Sequence, residues 1–137
     1  MSGHAMPHRP PPQDTLISVV LPVYNEAEVL PVLLEQIAEA IGGLGADYEV
    51  LFVNDGSTDD SPQVLDRLAA EDGRVRVIHL SRNFGQQAAV QAGMAHTRGD
   101  AVVLMDSDLQ DAPQAVRQFI RQWQDGYDVV YAVRTRR

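Results

Sequence analysis

Val102-Val103-Leu104-Met105-Asp106-Ser107-Asp108-Leu109-Gln110-Asp111 is the stretch on which the reading of this chain turns. An apolar run leads straight into a carboxylate at Asp106, a second at Asp108 and a carboxamide at Gln110. A short continuous apolar run of this kind reads as a strand buried on both faces of a parallel sheet. The polar cluster then stands where the strand ends, and open α/β sheets bind ligands beyond the carboxyl ends of their strands. Two carboxylates one residue apart, with an amide oxygen beyond them, are hard donors suited to Mg2+ or Mn2+. Such ions commonly bridge a few protein groups to substrate phosphates. Taken alone, Asp-x-Asp is also a common solvated loop or helix cap, so the rest of the chain must decide.

Working outward from that strand, the same pattern recurs. Residues 16–23, 48–53, 75–80 and 128–133 are further apolar, β-branched stretches that predict strands. Between them, apolar residues at helical spacing predict helices: Val29 to Ile41 ended by Gly42-Gly43, Ser61 to about Asp72 with Ser61-Pro62 as cap and first position, a small-residue helix over 86–97, and one opened by Pro113 with Val116, Phe119, Ile120 and Trp123 as its buried face. Ala89, Ala92 and Gly93 are small enough to let the third helix sit close on the sheet. Pro22 has no N–H to donate, so the first ladder is expected to end near it. Strands alternating with helices imply a mainly parallel sheet with right-handed crossovers. The strand order 3-2-1-4-5 is chosen because it places the ends of the first and fourth strands side by side.

Every strand exit is polar: Tyr24-Asn25-Glu26, Asn54-Asp55-Gly56-Ser57, Arg82-Asn83, Asp106-Ser107-Asp108 and Arg134. A parallel sheet puts all of these on one edge, so one site assembled from distant segments is expected. Singly, each exit has a plainer explanation. Asp-Gly is a common turn dipeptide, Asn25 can cap a helix, Tyr24 can pack, Arg82 can be a surface charge, and Arg134 to Arg137 can be a solvated tail or cations facing phosphate. His79 and His96 have no metal-ligand spacing and read as structural.

The totals narrow the function. The 137 residues are 45% hydrophobic and 22% charged, which suits one globular domain at 16–137 behind a Pro-rich, disordered lead-in at 1–15. His4 and His8 fall in that lead-in and read as part of it rather than as a metal tract. A net charge of −8 argues against nucleic acid as a partner, and the absence of cysteine excludes disulfides and thiolate zinc sites. No apolar run reaches the length of a transmembrane helix, and the start lacks the apolar core of a signal peptide. There is no Gly-x-x-x-x-Gly-Lys, no Gly-x-Gly-x-x-Gly and no Gly-x-Ser-x-Gly, which removes the main support for P-loop NTPases, dinucleotide oxidoreductases and serine hydrolases. Nor does a basic, Gly-rich phosphate loop follow the first strand, as a nucleotidyltransferase would need.

Taken together and in order, Val20-Leu21-Pro22-Val23-Tyr24-Asn25-Glu26, Val53-Asn54-Asp55-Gly56-Ser57-Thr58-Asp59, Ser81-Arg82-Asn83-Phe84-Gly85 and Asp106-Ser107-Asp108-Leu109-Gln110-Asp111 resemble the family 2 glycosyltransferases with the Rossmann-like GT-A fold. Arg-Asn-Phe-Gly with Asp-x-Asp-Leu-Gln-Asp is similar more narrowly to the polyprenyl-phosphate and dolichol-phosphate sugar transferases. The resemblance covers residue 17 to about 134. It implies that Pro22, Tyr24, Glu26, Asp55 and Asp106 line a nucleotide pocket, that Asp106, Asp108 and Gln110 hold Mg2+ or Mn2+ against the donor diphosphate, and that Asp106 and Asp108 are the catalytic pair. Arg82 and Arg134 would approach phosphate.

Ser107, Gln86 and Ala112-Pro113 depart from the family's usual residues, and the Gln86 change bears on the phosphate contacts. The activity implied is inverting transfer of a hexose from a UDP- or GDP-sugar to a polyprenyl phosphate at the cytoplasmic face of a membrane. Two alternatives stand beside it: transfer to a sugar hydroxyl, and a nucleotide-sugar-binding fragment without turnover. Family members continue with acceptor-side segments, so the chain is expected to be an N-terminal catalytic part that works with a membrane-embedded partner or a further C-terminal membrane region.

Overall fold

Among the described residues, four parallel strands form a sheet in which the first strand lies between the second and the fourth, and the third lies outside the second. A computed structural model describes residues 15–43, 45–105 and 112–124. The elements run β1 (Leu16–Val23), α1 (Leu30–Gly42), β2 (Asp47–Asn54), α2 (Ser61–Glu71), β3 (Val75–His79), α3 (Gln86–Met94), β4 (Ala101–Leu104) and α4 (Ala112–Gln124). The expected order holds for these strands, while the fifth, at 128–133, lies outside the described residues.

The register explains how Pro22 is tolerated. The carbonyls of Leu16 and Val20 accept N–H groups from Asp100 and Met105, so these residues of β1 bond toward β4. Val23 instead accepts the N–H of Asp55, toward the β2 side. Pro22 shares the parity of Val20, and the β1–β4 pairing ends at Val20 with Leu104, so its missing donor interrupts no rung. The strand therefore continues one residue past the proline.

Alternation along the strands divides the core. Ile17, Val19, Leu21, Val50 and Phe52 are fully buried on the face that also takes Leu30, Leu33, Ile37 and Ile41 of α1, Leu65 of α2, and Phe119, Ile120 and Trp123 of α4. Val20 and Val53 point to the opposite face, under α3. There a Cβ on Gly93 would stand 2.5 Å from Val20 Cγ1 and 3.0 Å from Val53 Cγ2, so the bare glycine sets the helix-to-sheet distance. Ala89 is fully buried on the same helix. The small-residue reading of α3 is thus borne out, although the helix closes at Met94 rather than reaching residue 97.

Two helix ends differ from expectation. Gly43 caps α1 in the right-handed region, and the left-handed turn comes two residues later at Gly45, φ +79. Ser61 is the first residue of α2 rather than its cap, and its hydroxyl is turned to a neighbouring loop.

The amino edge of the sheet holds a buried polar lock that the sequence did not announce. Glu49 Oε2 accepts from the Ser18 hydroxyl at 2.6 Å and from the Arg98 N–H at 2.7 Å, and Oε1 accepts from Arg76 at 2.9 Å. Ser18 Oγ in turn accepts the Gly99 N–H at 2.8 Å. Burial pushes the Glu49 carboxyl up, but the bonds from Ser18, Arg98 and Arg76 outweigh it and hold the group below its ordinary range. The lock pins the α3–β4 connection to three strands at the end of the sheet away from the polar exits. Among the described residues no helix is long and apolar enough to cross a membrane.

Candidate active site at the carboxyl edge

Loops leaving β1, β2 and β3 meet at the carboxyl edge, as a parallel sheet requires. They enclose a pocket of about 100 Å³ lined by Pro22, Val23, Tyr24, Glu26, Asp55 and Gln86. Four of the residues expected to line a nucleotide pocket, Pro22, Tyr24, Glu26 and Asp55, are brought together here from the end of β1 with its following loop and from the exit of β2. Val23 and Gln86 join them without having been singled out as pocket residues. Gln86 could have been found, because it is the first residue of α3 and follows the Arg82-Asn83-Phe84-Gly85 exit.

Arg82 is exposed and is not part of the lining. Its guanidinium lies 4.6 Å from the Phe84 ring centroid, a cation–π contact within one loop. Asp106, Asp108, Gln110 and Arg134 lie outside the described residues. Among the described residues no group of three His, Asp or Glu side chains is placed to hold a metal ion. Met105, the last residue described before Asp106, has its N–H bonded to Val20 of β1. The oxygens of Asp106, Asp108 and Gln110 are hard donors, a set whose chemistry fits Mg2+ or Mn2+.

Asp55 is 4% exposed, and its carboxylate already has work in the fold. Oδ1 accepts the N–H of Phe84 at 2.8 Å and Oδ2 that of Gly85 at 3.1 Å. A carboxylate has about four acceptor sites, so a ribose hydroxyl or base N–H can still be served. Gly56 follows with φ +72, and the Arg82-Asn83 backbone crosses directly over it: a Cβ there would stand 2.3 Å from Arg82 C and Asn83 N. Asp-Gly is therefore more than a turn. The aspartate holds the β3–α3 loop and the glycine gives that loop room.

The β1–α1 loop is braced from the β2–α2 loop. Its N–H groups at Asn25, Glu26 and Ala27 donate in turn to Ser57 Oγ at 3.0 Å, Ser61 Oγ at 2.9 Å and Asp59 Oδ2 at 3.3 Å. Asp59 Oδ1 also takes the Ser61 N–H at 2.8 Å. The Ser61 hydroxyl contributes most to holding the Asp59 carboxyl below the usual carboxylate range.

Behind this brace, Asn54 Oδ1 accepts the Ser57 N–H, and its amide nitrogen is 3.0 Å from His79 Nδ1. His79 Nδ1 is then an acceptor, so the ring proton sits on Nε2 and is donated to Asp66 at 2.8 Å. His79 is structural, as its place in a strand suggested. His96 likewise sets its Nδ1 2.8 Å from the Ala92 carbonyl, beyond the end of α3.

Solved structures share this architecture. The mannosyltransferase PcManGT from Pyrobaculum calidifontis, solved in complex with GDP-Man and Mn2+, matches with a TM-score of 0.61 and 24% identity, over 79% of this chain and 34% of that one. The glucosyl-3-phosphoglycerate synthase of M. tuberculosis matches with a TM-score of 0.61 and 30% identity, over 82% of this chain and 42% of that one. The sheet and its flanking helices are those of the GT-A glycosyltransferase fold.

Sequence relatives point the same way. The uncharacterized glycosyltransferase YkcC of Bacillus subtilis (strain 168) is 47% identical over 120 residues, 88% of this chain. An undecaprenyl-phosphate 4-deoxy-4-formamido-L-arabinose transferase of Pseudomonas fluorescens (strain SBW25) is 47% identical over 122 residues. The chain spans 37% and 36% of the length of these two relatives. The model of one family, described as glycosyl transferase family 2, matches residues 18–137, nearly everything from the start of β1 onward, and the chain therefore belongs to glycosyl transferase family 2.

Proposed function

We propose that this chain forms the nucleotide-sugar-binding part of an inverting glycosyltransferase that moves a hexose from a UDP- or GDP-sugar to a polyprenyl phosphate at the cytoplasmic face of a membrane. The observation that carries the reading is the pocket itself, in which Pro22, Tyr24, Glu26 and Asp55 converge at the carboxyl edge of a parallel sheet. The acceptor class is supported by relatives named as undecaprenyl-phosphate sugar transferases at 43–47% identity. Those relatives are much longer than this chain, which spans 36% and 37% of their length.

Tyr24 is 45% exposed at the pocket, which leaves its ring free to stack on a base. Asp55 would take a ribose hydroxyl or base N–H on its remaining lone pairs. Asp106, Asp108 and Gln110 would hold Mg2+ or Mn2+ beside the donor diphosphate. When bound, such an ion supplies Lewis-acid stabilisation of the charge that builds on the leaving diphosphate. Arg82 and Arg134 would add positive charge near phosphate.

A phosphate monoester, with a second pKa near 6, is mostly dianionic at pH 7. Its oxygen forms the new bond to the anomeric carbon while the bond to the nucleoside diphosphate breaks, and the diphosphate leaves with the electron pair. No proton has to be removed from the nucleophile, so no general base is required.

The test is incubation of the intact protein with labelled UDP-glucose or GDP-mannose and undecaprenyl phosphate, with Mn2+ or with EDTA. Label that moves into the lipid extract, and fails to do so in EDTA, is the expected result. A water-soluble labelled product would transfer the acceptor role to a sugar hydroxyl. Equal turnover in EDTA would overturn the metal assignment.

A further inference from the structure

The geometry points to Asn25 as a positioning residue that aims Tyr24 and Glu26 into the pocket. This inference rests on the nucleotide-sugar reading above. Asn25 is the one non-glycine residue with positive φ among the described residues, at +54. It does not cap α1, because that helix begins at Leu30 with Val29 as its cap and no side-chain bond at the cap. Its side chain is spent on the neighbouring loop. Oδ1 accepts the Thr58 N–H at 2.8 Å, the Asp59 N–H at 3.2 Å and the Thr58 hydroxyl at 3.4 Å.

These bonds run opposite to those from residues 25–27, whose N–H groups donate to Ser57, Ser61 and Asp59. Each loop therefore supplies the side-chain oxygens that satisfy the other's backbone. Asparagine suits the position because a short amide side chain tolerates the left-handed region and still presents an acceptor. Tyr24 and Glu26, its two chain neighbours, belong to neither strand nor helix, yet both line the pocket. Asn25 between them ties this turn to the neighbouring loop, alongside the Glu26 N–H bond to Ser61 and the Val29 N–H bond to the Glu26 carbonyl.

The experiment compares the 137-residue chain with Asn25→Gly, Asn25→Asp, Ser57→Ala, Tyr24→Ala and the double variant Asn25→Gly/Tyr24→Ala. Two quantities are read: amide hydrogen exchange at 24–27 and 57–61 without nucleotide, and the Kd of UDP and of GDP with Mn2+ by calorimetry. Asn25→Gly keeps the backbone angle and removes the acceptor. It is expected to speed exchange in both loops and to weaken the nucleotide that binds by about tenfold. Asn25→Asp keeps an oxygen there and is expected to recover affinity to within about twofold. Ser57→Ala removes a single bond and stays informative if the glycine variant unfolds, with an expected loss of about threefold. The double variant is expected to lose less than the sum of the two single losses, because part of what Asn25 does passes through that ring.

Unchanged exchange at 25–27, an unchanged Kd, or fully additive losses would each overturn the inference. If the unaltered chain binds neither nucleotide, the functional reading falls, and the exchange data alone decide whether Asn25 holds the loop.

Discussion

Asp55 and Phe84 are joined across 29 positions of sequence by a bond of 2.8 Å from a main-chain N–H to a buried carboxylate. With the parallel bond from Gly85, it fastens the β3–α3 loop to the end of β2. A charged acceptor in a water-poor setting makes such bonds stronger than neutral ones.

Asp55→Asn replaces one of the two accepting oxygens by an NH2 group that faces an N–H. A loss of about 1–3 kcal/mol in unfolding free energy is expected from the unsatisfied donor. Urea titration measures it, and faster amide exchange at 84 and 85 would locate it. A loss of nucleotide affinity is expected to accompany it, because the carboxylate also lines the pocket.

Gly56→Ala combines two penalties. The residue sits at φ +72, and the new methyl group would meet the Arg82 and Asn83 backbone at 2.3 Å, where no flexible side-chain end can yield. A destabilisation of at least about 2 kcal/mol is expected from strain and overlap together. Denaturant midpoints compared at equal m value check it.

Gly93→Ala sets helix propensity against packing. Alanine in a helix interior is favoured over glycine by about 1 kcal/mol. The methyl group would lie 2.5 Å from Val20 Cγ1, and overpacking costs about 1–3 kcal/mol. Packing is expected to win, giving a net loss of stability. Val20→Ala in the same chain is expected to relieve it, so a double-mutant cycle should show favourable coupling.

Stability is expected to fall in acid partly through Glu49. Its folded pKa lies below the ordinary value of 4.5, so the unfolded chain binds the proton more readily. The stabilisation is fully present above the unfolded value and is lost as pH falls through the folded one. Urea midpoints from neutral pH downward should decline less steeply in Glu49→Gln than in the unaltered chain. Parallel slopes would remove Glu49 from the acid response.

The sequence carried the sheet because hydrophobic strands and polar exits are local signals. The closeness of α3 through Ala89 and Gly93 followed from residue size, the shared edge of the exits from parallel geometry, and the choice of Pro22, Tyr24, Glu26 and Asp55 as pocket residues from the family resemblance. The partners of Asp55 were not legible, since they are backbone N–H groups of a distant loop and backbone has no letter in the sequence. Ser61 looked like a helix cap because its local pattern is that of one, and only the fold shows its hydroxyl accepting from Glu26. The Ser18, Glu49 and Arg76 lock was hidden for a related reason. One polar residue from each of three strands gives no joint signal until the strands are laid in register.

That lock divides labour along the sheet. The foot of the fold is cemented by its own ionic mortar, independently of the bonds that interlock the loops at the opposite rim. A chimaera that grafts the segments of a relative matching 24–27 and 55–61 together, as a matched pair, should fold where either graft alone would leave interlocking bonds unanswered.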